Sequence, residues 1–542
     1  MPDLTVPLDP LPTGDRPSPP WREPALLAAG ALVLLRLLYL PWINLFPEEA
    51  YYWNYAQHLD IGYLDHPPMV AWLIALGAHT LGQTETGVRV CAVLCSLVTS
   101  GFAYRLGALL YGRRAGAAAA LLSQILPFFF MAGWMMTPDA PLAACWAAML
   151  YYLARVLVAD SARAWWGVGL CLGLGMLSKY TVALLGPATL VFLFLDARSR
   201  RWFLHPLPYL SVGLAAAVFS PVIAWNARHS WASFTFQSTG RLAQAARFSF
   251  PELLGSVLLL LTPVGVALAV RAWRRRQGGT MAVLDHDRRR WLFGWTFTLV
   301  PLGVFVVFSL THRVKLNWTG PLWLALLPAL AAQVAALVAP AAGDTLALGR
   351  GVRALRSGVW ATAAILGALY LGLLQYLGTG LPGVPPARNI LLLPVGWPQM
   401  GRELSRQLAE VRQQSPGTKS LIIGMDRDFI ASEVAFYQPA REHGEQDVTG
   451  AHLFGNVALM YEYWTPRTAQ DGATLVMASF NPNWLDADEV HRFCGRLDEP
   501  REHVIERGGK TVCRYYTRVG YDYKAAGYFE PVTKKKTRPA KR

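Results

Sequence analysis

Charge is what this chain has least of. Only 16% of its 542 residues are Asp, Glu, Lys or Arg, against about 25% in soluble domains. That deficit excludes an ordinary water-solvated globule over most of the length. Cysteine is scarce too, six in all, and no CxxC pair or zinc-ligand spacing occurs, so neither a dithiol redox motif nor a zinc finger is encoded. A glycine-rich phosphate loop, a GxGxxG turn after a strand, an HExxH helix and a GxSxG elbow are also missing. No nucleotide-driven reaction is indicated, and any group transfer must draw its energy from the substrate.

What the chain does have is apolar length. It is 53% hydrophobic with 20 Trp, and apolar runs near the roughly 20 residues that cross a bilayer recur from about residue 24 to 378. We expect about eleven spans, near 24–45, 87–111, 115–135, 138–158, 164–178, 181–196, 207–226, 251–271, 291–310, 318–340 and 358–379. The segment 67–82 is short and amphipathic, so it is read as lying at the membrane surface. The net charge of +15 does not indicate nucleic acid. Arg113-Arg114, Arg198/Arg200/Arg201, Arg274 to Arg276 with Arg288 to Arg290, and Arg350/Arg353/Arg356 all fall in gaps between apolar runs. Those gaps alternate with Arg-poor ones, as cytoplasmic loops do.

The Pro-rich segment 1–23 lacks the basic start of a signal peptide and is read as a cytoplasmic tail. An odd number of spans then puts residues 380–530 outside as a small α/β domain, followed by a basic tail at 531–542. In that domain "TKSLIIGMD" and "ATLVMASF" have strand character, while "MGRELSRQLAEVRQQ", "DFIASEVAFYQ" and "DADEVHRFCGRL" have helical spacing. Cys494 and Cys513 are the cysteines outside the spans and form a possible disulfide in an oxidising compartment. Cys91, Cys95, Cys145 and Cys171 are read as small packing residues. Arg36, mid-run in "ALVLLRLLYL", is expected to face the bundle interior toward a partner the sequence does not name.

The same topology gathers the first outer loop (46–86), Asp139, the loop 227–250 and "THRVKLNW" on one face. Carboxylates at a membrane boundary are functional candidates by default. Glu48 and Glu49 open an expected helix, "EEAYYWNYAQHL", where acids also complement the helix dipole; Asp139 in "TPDAPL" has ordinary N-terminal chemistry as its alternative. Together the three suit a general base with partners. Asp65-His66-Pro67-Pro68 forms a rigid turn, and His66 either binds phosphate or hydrogen-bonds at the interface. Arg89, Lys179, Arg228, His229, Arg241, Arg247, His312, Arg313 and Lys315 lie near outer ends, as snorkelling anchors or as stabilisers of a phosphate leaving group.

In combination these stretches resemble a known group. "EEAYYW…GYLDHPPMVAWLI", "TPDAPL", "LSKYT", "PVIAWNARHSWASFTFQ", "KLNWTGPLW" and "FIASEVAFYQP" follow, in order, the signature of integral-membrane GT-C glycosyltransferases. The nearest subgroup is similar to glycosyltransferase family 39, with the lipid A aminoarabinose transferases and Rgt-type galacturonic acid transferases. The resemblance covers nearly all of residues 24–440 and implies a GT-C fold with outer-face interfacial helices. It implies inverting transfer from a polyprenyl-phosphate sugar to a lipid or lipopolysaccharide acceptor at the periplasmic face of the bacterial inner membrane. It places catalytic carboxylates at Glu48, Glu49 and Asp139, with Glu48 one methylene longer than the usual Asp. Donor-phosphate groups fall at His66 (where the aminoarabinose branch has Lys), Arg89, Lys179 and Lys315. A sugar or acceptor pocket is expected from Tyr51, Tyr52, Asp65, Arg228, Arg241 and Asn317. No cofactor is required, and a divalent metal bridging the carboxylates is compatible but not indicated. The alternatives are a transferase acting on protein or another glycan, and, from another class, a polytopic lipid or sugar transporter.

Overall fold

The computed structural model describes residues 23–243, 245–274, 281–338, 350–384, 394–439 and 447–528. The tail before residue 23 and the basic tail at 531–542 lie outside these residues. Among them, seven helices are long and apolar enough to cross a membrane: Pro24–Trp42, Glu85–Tyr111, Asp139–Leu157, Pro206–Arg228, Phe250–Arg274, Asp287–Ser309 and Arg350–Gly378. Two bent pairs, Tyr180–Leu195 with Ala197–Leu204 (119°) and Leu316–Ala325 with Leu327–Val338 (69°), raise the number to nine if each is one span. The expected spans 115–135 and 164–178 correspond to shorter pieces. Arg113–Ile125 has 13 residues and Ala164–Ser178 has 15; the first helix ends where Leu126 turns extended ahead of Pro127. The segment 67–82 forms the 13-residue helix Met69–Leu81, too short to span.

Burial sorts the helices. Most of the apolar stretch of Asp139–Leu157 is buried, whereas those of Pro24–Trp42, Pro206–Arg228 and Arg350–Gly378 are mostly unburied and turn outward, toward lipid. Arg36 finds its partner in Gln124: one guanidinium nitrogen donates to the Gln124 side chain and another to its carbonyl at 2.8 Å. Gln124 in turn donates to Ser100 Oγ at 2.5 Å and to the Ser96 carbonyl at 3.1 Å. At the end of the bundle away from Asp139, buried Arg289 ties loops together through Asp196 (3.2 Å), Asp160 (3.4 Å) and the Leu157 carbonyl. The cations of these Arg-rich gaps therefore brace the far end, with Arg198 and Arg201 also on Asp160.

After Gly378 the chain enters a mixed sheet. Its strands are β1 Ser420–Gly424, β2 Val448–Gly450, β3 Thr474–Ser479, β4 Cys494–Leu497, β5 Arg501–Arg507 and β6 Lys510–Tyr523. Their order is β2-β1-β3-β6-β4, with β5 also on β6; β1 pairs in parallel with β2 and β3, and β6 runs antiparallel to its neighbours. The two expected strands are β1 and β3, and the helices Trp397–Gln414 and Phe429–Tyr437 are where periodicity put them. "DADEVHRFCGRL" is only half helical: Asp488–Phe493 is a helix, and the chain then extends into β4.

The expected disulfide is corrected. Cys494 and Cys513 are both free thiols. Cys494 pairs with Tyr523, ten residues further along β6 from Cys513, a separation of roughly 33 Å at 3.3 Å per residue. Burial pushes both thiols up, to about 12 and about 11.

Candidate active site

The helix Pro47–Gln57 follows the first span, and Pro47 at its first position suits a helix start. Its two acids point different ways. Glu49 is fully buried and accepts from Arg89 Nε (2.8 Å) and Nη2 (2.5 Å), the Phe46 amide (3.1 Å) and the Met136 amide (3.0 Å). Arg89 spends its remaining donors on the carbonyls of Ile43 (2.5 Å) and Asn44 (2.8 Å) and lies 4.5 Å from the centre of the Trp134 ring. This bidentate pair has no capacity left for substrate. The expectation that Arg89 binds the donor phosphate and Glu49 takes part in catalysis is thereby corrected: both are anchors, locking the loop onto Glu85–Tyr111 and the Met136 turn. Glu48, one residue earlier, is exposed, and no hydrogen bond or ion pair with the described residues occupies its carboxylate.

Asp139 opens its helix with two partners, Lys179 Nζ at 2.7 Å and Asn317 Nδ2 at 2.5 Å. Asp65 accepts from the phenols of Tyr51 (3.0 Å) and Tyr55; burial pushes its pKa up against those bonds. The Asp65 carbonyl receives Gln237 Nε2, whose Oε1 holds Arg241 Nε at 2.6 Å, and Arg241 lies 5.2 Å from the centre of the Trp318 ring. Five separate segments thus meet, through side-chain bonds and the Arg241–Trp318 ring contact.

His66 packs edge-on to Tyr52 at 5.5 Å. Burial holds its pKa well below the usual value, reinforced by the nearby charges of Lys179, Arg241 and Lys315, so His66 is neutral at pH 7 and the cations facing it are those three. Tyr52 is the crossing point. Burial raises its phenol, and so do the charges of Glu48, Asp65, Asp139 and Asp428. Arg228 is exposed at the end of its helix, and no bond or ring contact with the described residues ties it to the cluster, which corrects its placement in the pocket. Among the described residues no three His, Cys, Asp or Glu gather as a metal site.

Three participants were not singled out in the sequence: Tyr55, Gln237 and Asp428. Gln237 ends the "ASFTFQ" stretch and Asp428 directly precedes "FIASEVAFYQ", so both adjoin motifs that drew attention for other reasons. Asp428 comes from the C-terminal sheet domain, whose helix Phe429–Tyr437 packs on Pro47–Gln57. The contact is fixed by the Tyr437 hydroxyl, which accepts from the Leu45 amide (2.8 Å) and donates to Glu85 (3.0 Å), and by the Met460 amide, 3.4 Å from Tyr51 Oη.

Residues 65–225 match a family described as dolichyl-phosphate-mannose-protein mannosyltransferase. The lipid A galacturonosyltransferase RgtD of Rhizobium johnstonii is 26% identical over 194 residues, 34% of this chain and 39% of that one. The undecaprenyl phosphate-alpha-4-amino-4-deoxy-L-arabinose arabinosyl transferase of Pseudomonas savastanoi is 30% identical over 224 residues, 37% of this chain and 41% of that one. The matched stretches span about two-fifths of these curated relatives. ArnT from Cupriavidus metallidurans, solved in the apo state and bound to undecaprenyl phosphate, superposes with a TM-score of 0.60 at 16% identity, over 91% of this chain and 97% of that one. This is a GT-C fold. The GT-C architecture bears out the expected polytopic helical body with a small C-terminal sheet domain. The matched residues 65–225 include His66, Asp139 and Lys179; Glu48, Arg241 and Lys315 reach the same site from outside that stretch.

Proposed function

We propose that the protein is an inverting glycosyltransferase that moves a sugar from a polyprenyl-phosphate donor to a lipid or lipopolysaccharide acceptor at the periplasmic face of the bacterial inner membrane. The observation that carries the reading is that Tyr52, packed on neutral His66, links an unoccupied carboxylate, Glu48, to the cations Lys179, Arg241 and Lys315 around that imidazole. A transfer of this kind needs both. The acceptor oxygen attacks the anomeric carbon while the bond from that carbon to the phosphate oxygen breaks. The electron pair leaves on the polyprenyl phosphate, where fixed cations stabilise the developing charge. Glu48 takes the acceptor proton. Asp139 positions Lys179 and Asn317 and offsets part of the charge of the cations. The relatives' printed names, which include a lipid A galacturonosyltransferase and an undecaprenyl-phosphate aminoarabinose transferase, support this donor and acceptor class.

The test uses purified wild type and Glu48→Gln with a panel of undecaprenyl-phosphate sugars and total envelope lipid, products read by mass spectrometry. Wild type is expected to add one sugar mass to a lipid. Glu48→Gln should lose about 10²-fold or more of that rate while binding undecaprenyl phosphate normally. Full activity in Glu48→Gln would remove Glu48 as base. Sugar appearing on protein or glycan would change the acceptor class, and passage of lipid across vesicles without any product would replace transfer by transport.

A further inference from the structure

The end of the bundle that carries Glu48 holds a second group of charges, separate from the transfer site. Two spans with outward-facing apolar surfaces, Pro24–Trp42 and Arg350–Gly378, meet there. Tyr39 Oη donates to Gln375 Oε1 at 2.6 Å, and a methyl group built on Gly378 would lie 3.5 Å from Trp42 Cβ. Between these span ends and the sheet domain lies a cavity of about 180 Å³, whose lining includes Trp42, Asn44, Gly378, Gln399, Arg402 and Arg507. Both guanidiniums border it, and among the described residues no Asp or Glu does. Arg507 gives Nη2 to the Gly378 carbonyl at 2.9 Å; Arg402 makes no hydrogen bond or ion pair with the described residues. Elsewhere in this domain arginines take acids: Arg406 binds Glu403 and Glu410, Arg412 binds Asp447, and Arg514 binds Glu502. Two cations around one hollow repel each other, and an anion between them turns that repulsion into paired, charge-assisted bonds.

The surroundings distinguish a lipid from a free anion. Trp42 is 64% exposed and Leu38, one turn earlier, is 68% exposed. An exposed Trp at a span end marks headgroup level, with the aliphatic surface below it facing acyl chains. We propose that this cavity binds the phosphodiester headgroup of an anionic phospholipid between Arg402 and Arg507, with its acyl chains along Leu38 and Trp42. Gln399 and Asn44 supply amide groups beside it. The bound lipid joins the ends of two spans to the sheet domain. It also reaches the first loop, because the Asn44 carbonyl accepts from Arg89 Nη2 at 2.8 Å and Arg89 holds Glu49. The site does not depend on the transfer reaction, and its test needs no turnover.

The test is native mass spectrometry of the full chain in detergent, titrated with phosphatidylglycerol, phosphatidylcholine or undecaprenyl phosphate. Wild type is expected to retain phosphatidylglycerol in preference to phosphatidylcholine. Arg402→Gln should weaken phosphatidylglycerol about fivefold, and Arg402→Gln with Arg507→Gln roughly 25-fold, with undecaprenyl phosphate binding unchanged. Arg402→Lys keeps the charge and should retain most of the affinity. Arg402 has no described bond to lose, so the single variant remains informative if the double variant, which also loses the Gly378 bond, fails to fold. Equal retention of the two phospholipids by wild type, or full phosphatidylglycerol affinity in Arg402→Gln, would overturn the proposal. Displacement of phosphatidylglycerol by inorganic phosphate alone would make this a simple anion site and overturn the lipid assignment. Parallel loss of undecaprenyl phosphate would place the donor there and overturn it equally.

Discussion

Two adjacent glutamates divide the labour of this site, and a sequence alone does not show which does what. Consecutive positions on a helix lie about 100° apart, so one of the pair must face inward, and the fold gives that position to Glu49. Its bond to Arg89 is fully buried at 2.5 Å. Removing one member of such a pair leaves the other charge stranded, at a cost of roughly 3–5 kcal/mol. Arg89→Ala is therefore expected to lower the melting temperature sharply, whereas Glu48→Gln should leave it near wild type; equal melting curves for the two would contradict the anchor role. Asp428 gives a pH-dependent case. Its folded pKa is raised to about 7, so between the ordinary carboxylate value and 7 the folded state holds the extra proton, and its contribution to stability falls as pH rises through that window. Asp428→Asn should raise the melting temperature more at pH 8 than at pH 5. Glu48, Asp65, Asp139, Lys179, Arg241 and Lys315 stood out because each is a polar group at the edge of an apolar run, whereas Asn317 came only through the family resemblance. Asp428 did not stand out, since its significance comes from docking against residues nearly 400 positions away.

Among the elements, the surface helix Met69–Leu81 carries His66 into place and rests on Glu85–Tyr111 at a crossing with no room for side chains. A methyl group built on Gly77 would sit 2.1 Å from the Gly87 carbonyl, and one on Gly87 2.1 Å from that of Gly82. Small residues allow this approach in membrane bundles. Gly77→Ala should separate the two helices at a cost of roughly 1–3 kcal/mol, read as a lower melting temperature; no change would mean the crossing is loose. Periodicity located the helices Trp397–Gln414 and Phe429–Tyr437 and the strands β1 and β3 well, because all are buried on at least one face. It named no strand at β5 and β6, where charged residues dominate the hairpin and pairing along the partner strand determines the extended form. The bundle's short and bent pieces escaped for a related reason: apolar composition marks what lies in lipid, while breaks such as that before Pro127 depend on local backbone chemistry.

At the scale of the molecule, the sheet domain and the first loop share one core. Tyr51, Trp53, Val70 and Ile74 belong to the same buried cluster as Trp397, Ile430, Val434 and Val476. A chain ended at residue 384 should consequently lose more than the sheet domain itself. Its loop 46–86 would open, and undecaprenyl phosphate binding should fall together with transfer. Protease sensitivity of that loop in the truncated protein is the direct check, and a protected loop would show that the bundle alone supports it. The sequence did show two compositional regions, but it carried no sign that their cores merge.

Arg36 and Gln124 carry a consequence for how the protein is made. The guanidinium sits in the first membrane helix, and its partner arrives 88 residues later. At synthesis rates of 5–20 residues per second that interval is roughly 4–18 s. During it, the nascent first helix carries in its last turn a cation that opposes insertion until it is paired. The helix is thus a late joiner: its buried cation is satisfied only after the Ala-rich segment bearing Gln124 has been made.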